Sequence, residues 1–170
     1  MIDKEKIEGF KIFDSLTDEQ LEDVCEKMVE REYKKNETIF SEGDVGTSLF
    51  LLLEGEVEIS QALTLDLDHS KIDNREKSLV RLDSSVKTFF GEVGLIEEDG
   101  VRTATVRTTS DSLIARLSKI DFNGLTEKDP VLGTKLLMNI ASVLCQRLRK
   151  TNDNVLKITT AFSLALSRQK

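Results

Sequence analysis

Histidine, cysteine and proline are nearly missing from this 170-residue chain, which has one His, two Cys, one Pro and no Trp. The single histidine, His69, stands in a polar stretch with no triad-like serine or cysteine and no second histidine. Without paired carboxylates or an activated nucleophile either, the chain is not expected to be an enzyme. Cys25 and Cys145 lie far apart and lack metal-ligand spacing. They read as buried, reduced thiols on apolar helix faces, which suits a cytoplasmic protein. The Asp66, Asp68 and Asp73 cluster lacks the glycine and terminal glutamate of a calcium loop, so no metal is expected. No apolar run approaches the roughly eighteen residues of a membrane span. The charged start, Met1-Ile2-Asp3-Lys4-Glu5, is no signal region. Aromatics make up only 5% and the net charge is −7, which argues against a general nucleic-acid surface. The basic residues Arg147, Arg149, Lys150, Lys157, Arg168 and Lys170 accompany Phe162 alone. They are expected to solvate the outer face of a helix.

What is present divides into three patterns. Thr17 with Gln20 forms a capping box, and Leu16 with Leu21 a hydrophobic staple. The helix they open carries Leu21, Val24, Cys25, Met28 and Val29 on one face. Phe10 and Phe13 anchor a shorter helix before it. From Tyr33 to Leu117, short β-prone runs at 38–40, 49–53, 57–59, 79–82, 104–107 and 113–117 alternate with turn residues. Many short strands point to a barrel, jelly roll or sandwich, which periodicity does not separate. Residues 60–88 form a polar insert whose centre, 66–77, is expected to be a mobile loop. After a short helix at 118–127, Asp129-Pro130 starts a long one. Its apolar stripe is Leu132, Leu136, Leu137, Ile140, Val143, Leu144 and Leu148, with a break expected at Thr151-Asn152-Asp153-Asn154.

The segment Phe90-Gly91-Glu92-Val93-Gly94-Leu95-Ile96, followed by Arg102-Thr103-Ala104, is the richest in chemistry. Gly91 and Gly94 admit close backbone approach. Val93–Ile96 fits one helical turn, whose free amides attract an anion. Glu92 can only accept hydrogen bonds, as sugar hydroxyls require. Arg102 offers a planar fork for phosphate. The plainer alternatives are Glu92 as a surface carboxylate, Arg102 paired with Glu97, Glu98 or Asp99, and Thr103 as a strand former. These residues, with Glu42-Gly43-Asp44-Val45-Gly46 and Gly55-Glu56-Val57 upstream, resemble the cyclic nucleotide-binding domain family, closest to its catabolite-activator branch.

The resemblance implies a mainly β fold with flanking helices. That fold is an eight-stranded jelly roll, or double-stranded β-helix, with N-terminal helices and a long C-terminal helix. It divides the chain into a binding roll over 1–128 and a helical lid or dimerisation segment over 129–170. It implies a sensor, not a cofactor enzyme, with cyclic AMP as first ligand and cyclic GMP as second. Contacts would come from Gly91, Glu92, Val93, Gly94, Leu95, Arg102, Thr103 and Ala104, and ligand occupancy would reposition the C-terminal helix. Thr103 is compatible with cyclic GMP. A homodimer through the long helix is expected, and a C-terminal DNA-binding domain is not, because too few residues follow that helix. The family tends to carry a glycine shortly before Phe-Gly-Glu, whereas Ser84-Ser85-Val86-Lys87-Thr88 fills that space here. With the insert, this leaves a second reading: a degenerate pocket on an interaction scaffold.

Overall fold

The computed structural model describes residues 2–62 and 76–167. The N-terminal helices follow their local signals. The first, α1 (Lys4–Ile7), is capped by Asp3, and a 3-10 turn at Lys11–Phe13 buries Ile12 and Phe13. The second, α2 (Asp18–Lys27), opens on the expected capping box, with Thr17 and Gln20 bonded reciprocally at 3.2 Å. It stops two residues earlier than its apolar period suggested. Met28 is its C-cap, and Val29 begins a strand and is 56% exposed. A β-branched residue followed by Glu30-Arg31-Glu32-Tyr33 fits a pleated edge better than a helix end.

Among the described residues, eight antiparallel strands form two four-stranded sheets. They are β1 (Val29–Tyr33), β2 (Thr38–Phe40), β3 (Ser48–Glu54), β4 (Glu56–Ala62), β5 (Glu76–Asp83), β6 (Phe89–Phe90), β7 (Thr105–Thr108) and β8 (Ser112–Ser118). One sheet runs β1-β8-β3-β6 and the other β2-β7-β4-β5, giving the jelly roll. The run Leu49–Leu53 shows no alternation because β3 is covered on both faces. Leu49 and Leu51 pack with the helices, while Phe50 and Leu52 pack between the sheets. Of the polar centre of the insert, 66–75 lies outside the described residues, including His69 and the three aspartates. Glu76 and Lys77 begin β5, which pairs with β4 from Glu56↔Asp83 to Ala62↔Glu76.

The last strand leads into α4 (Lys119–Lys128), capped by Ser118. Asp129 then caps the next helix through Oδ1, which accepts from the Val131 and Leu132 amides at 2.9 and 3.1 Å. That helix, α5 (Pro130–Ser167), is continuous over 38 residues, about 57 Å at 1.5 Å per residue. The break expected at Thr151–Asn154 is absent. Thr151 donates its hydroxyl to the Arg147 carbonyl at 3.0 Å, so its polar group is satisfied within the helix. Only Leu132, Gly133, Leu136 and Ile140 of α5 are buried. Cys145 is exposed, contrary to expectation, while Cys25 is buried. Among the described residues no helix is long and apolar enough to cross a membrane.

Candidate functional site: a glycine-rich turn, a buried arginine and the long helix

The short strand β6 feeds a tight turn at Gly91, whose φ of +77° only glycine adopts without strain. A Cβ there would also lie 2.8 Å from Arg102 Nη1. The single turn α3 (Val93–Ile96) follows, with Glu92 at its N-cap and with Gly94 and Leu95 buried. Gly94 is packed so closely that a Cβ would stand 2.0 Å from the Gly46 carbonyl oxygen. The amides of Leu95 and Ile96 donate to the Glu92 carbonyl at 3.0 and 3.2 Å. Of the expected phosphate donors, the Leu95 amide is therefore already engaged.

The chain returns through Gly100–Arg102, zipped to the Gly43–Gly46 loop. Gly46 N donates to Gly100 O, Arg102 N to Asp44 O and Gly43 N to Arg102 O, all at 2.8–2.9 Å. This ladder aims Arg102 inward, where it is only 4% exposed. Its Nη1 donates to Gly91 O at 2.8 Å and its Nη2 to Ser48 O at 2.9 Å. The guanidinium lies over Phe40, 4.3 Å from the ring centroid, and 5.5 Å from Phe50. Its Nε has no partner. An unpaired buried donor is costly, so this atom marks a place where an acceptor would be stabilising. Burial pushes the Arg102 pKa below the ordinary guanidinium value, while the negative charges of Asp44 and Glu92 oppose that shift. The acidic trio does not reach Arg102; Glu97, Glu98 and Asp99 are exposed.

Glu92, 8% exposed, has a partner that sequence reasoning missed. Arg147 of α5 donates from Nη1 to Glu92 Oε1 at 2.7 Å. Its Nη2 donates to Thr88 Oγ1 at 3.1 Å and to the Phe89 carbonyl. Its guanidinium stands 5.0 Å from the Phe89 ring centroid. The expectation that Arg147 solvates an outer face is thus corrected. A signal existed: Leu132, Leu136, Ile140, Val143 and Arg147 follow one another at helical spacing, so Arg147 continues the inward stripe. Thr103 is exposed and Ala104 half-buried. The structure brings Glu92 and Arg102 close enough to interact electrostatically, but neither carries its polar groups free toward solvent. A cleft of about 440 Å³ is lined by Arg102 together with Phe40, Asp44, Gly46, Ser48 and Arg116, and not by Glu92.

The entrance differs from a glycine turn. Lys87 adopts φ +46° and ψ +58°, a left-handed conformation, at the C-cap of the 3-10 turn Ser84–Val86. Its Nζ donates to the Glu8 carbonyl. A lysine thus takes the conformation that glycine would adopt more cheaply, held by a contact to the N-terminal segment.

Residues 30–129 match the model of the cyclic nucleotide-binding domain. The chain belongs to the cyclic nucleotide-binding domain family. It is 33% identical over 128 residues to the cAMP-activated global transcriptional regulator Vfr of Pseudomonas aeruginosa, covering 74% of this chain and 53% of that protein. It is 25% identical over 146 residues to the cyclic AMP receptor protein of Thermus thermophilus, covering 86% and 61%. A crystal structure of a cyclic nucleotide-binding domain from Methylobacillus flagellatus superposes with a TM-score of 0.75 at 23% identity, covering 89% of this chain and 79% of that one. That likeness shows the fold. This domain spans about half the length of the curated relatives it matches. One of those relatives is named as a cyclic AMP receptor protein and others as transcriptional regulators. The exclusion of DNA from this protein's partners therefore does not stand. It rested on the few residues expected to follow the long helix, whereas the match covers only part of each transcriptional regulator.

Proposed function

We propose that this domain is a regulatory sensor that binds a cyclic nucleotide and passes its occupancy to α5. The observation that carries the reading is the Glu92–Arg147 ion pair beside the buried Arg102. Glu92 is the acceptor suited to a ribose hydroxyl, and it is also the attachment point of the long helix. A ribose donating to Glu92 competes with or reorders the Arg147 contact, so ligand and helix report to one carboxylate. Arg102, with the first-turn amides of Val93 and Gly94, receives the phosphate, and the unpartnered Nε supports that role. A ligand shifts α5 only by its differential affinity for the two arrangements. The relatives' names direct the choice to cyclic AMP first, with cyclic GMP second.

Calorimetric titration of both nucleotides tests this. Micromolar binding, about −8 kcal/mol, is expected for the wild type. Arg102→Ala, shown by its melt to be folded, is expected to bind roughly 10- to 100-fold more weakly. The Glu92–Arg147 ion pair and the two backbone carbonyls already held by the Arg102 Nη atoms favour a second reading, a scaffold without ligand. Absence of heat from folded, nucleotide-free protein decides for it.

A further inference from the structure

The cleft on the open side of Arg102 has a feature that neither the phosphate nor the ribose contact uses. Arg116, on β8, lines it together with Phe40, Phe50, Asp44 and Arg102. In the sheet Arg116 stands directly opposite Phe50, so the two side chains share a face. It is exposed and makes no hydrogen bond, ion pair or ring contact among the described residues. Phe40 and Phe50, with ring centroids 5.6 Å apart, give the cleft an aromatic wall. One end is therefore a buried cation with an orphaned donor, the wall is apolar with its two rings tilted by 33°, and the rim carries a guanidinium fork without a partner among the described residues.

We propose that Arg116 is a base-reading residue of this cleft and that it selects guanine over adenine, which reverses the order of ligands taken above from the relatives' names alone. This rests on the cyclic nucleotide reading above. A guanidinium has donors only. Guanine presents two adjacent acceptors, O6 and N7, which match its fork, whereas adenine presents N7 beside an N6 donor, which does not. Asp44, the carboxylate in the same lining, accepts from the Ser41 amide at 2.8 Å through Oδ2. It adds an acceptor that suits the guanine N2 amino group and leaves the cleft one positive charge in excess, for one cyclic phosphate.

The test is calorimetry of the full chain with cyclic GMP and cyclic AMP, for the wild type, Arg116→Gln and Arg116→Ala. The wild type is expected to bind cyclic GMP more tightly than cyclic AMP. Arg116→Ala weakens cyclic GMP alone. Glutamine carries one donor and one acceptor and matches adenine, so Arg116→Gln shifts the ratio toward cyclic AMP by about ten- to hundredfold. An unchanged ratio across the three proteins, with binding intact, overturns this inference and leaves the sensor standing. Binding of neither nucleotide to the wild type overturns both.

Discussion

The two halves of α5 share one helix and differ in everything around it. From Pro130 to Arg147 the helix is stitched to the body. Gln20 Nε2 donates to Asp129 Oδ2 at 2.7 Å, and Lys135 Nζ donates to Gln20 Oε1 at 2.9 Å. Asn139 Nδ2 donates to the Ile12 and Asp14 carbonyls at 3.0 and 2.8 Å, Lys11 reaches Gln146 at 3.3 Å, and Arg147 ends the series on Glu92. Between these contacts Leu132, Leu136 and Ile140 are buried. From Leu148 to Ser167 every residue is exposed, including Leu156 at 67%, Ile158 at 70% and Phe162 at 64%. The lesson is one of cause. The first half is fixed by tertiary packing, while the second has only its own backbone bonds and propensity, which are marginal for a short helix in water. The boundary falls at the residue that touches the proposed ligand site, so α5 can report on that site through its docked half.

The sharpest way to break this comparison is to cut matched leucines. Leu136→Ala is expected to cost about 2–5 kcal/mol in chemical denaturation, because it leaves a cavity. Leu156→Ala is expected to stay within about 0.5 kcal/mol. Equal costs would erase the distinction. Arg147→Ala strands a buried carboxylate, and a loss of about 1–3 kcal/mol is expected, measured the same way; a neutral result would mean Glu92 is solvated after all. Asn139→Ala removes two hydrogen bonds to carbonyls of the N-terminal segment, and about 1–2 kcal/mol is expected from paired melts.

The smallest effect is one of pH. The hydrogen bond from Gln20 and the Val131 and Leu132 amides hold the Asp129 carboxyl below its ordinary 3.8. A carboxylate with a depressed folded pKa stabilises the fold above its unfolded value and loses that contribution as pH falls through the folded one. Stability should therefore decline below about pH 4, and Asp129→Asn should flatten that decline. An unaltered acid limb would remove Asp129 from the account.

Much of this was legible because it is local. Thr17 and Gln20 cap α2, Asp129 and Pro130 start α5, and the glycines around Glu92 build a tight turn, each by chemistry within a few residues. The placement of Glu92 and Arg102 near one another followed from the family pattern they resemble. What the sequence hid depends on distant partners. Met28 and Val29 continue a helical period, yet strand pairing with Arg116 across β8 draws Val29 out of the helix. The polar run Thr151–Asn154 looks like a break, but Thr151 back-bonds within the helix. Arg147 is one of several basic residues until packing of the stripe from Leu132 turns it onto Glu92. Lys87 occupies a glycine conformation at the end of the 3-10 turn, its amide bonded to the Ser84 carbonyl and its side chain to that of Glu8, far away in sequence.

The central claim is that occupancy of the site is felt by the docked half of α5 and not by the exposed half. Hydrogen exchange of α5 amides, with and without saturating cyclic GMP or cyclic AMP, measures this directly. The account predicts a change in protection confined to Pro130–Arg147, lost in Arg147→Ala. Bound nucleotide with unaltered protection there, or an equal change along Leu148–Ser167, would contradict it.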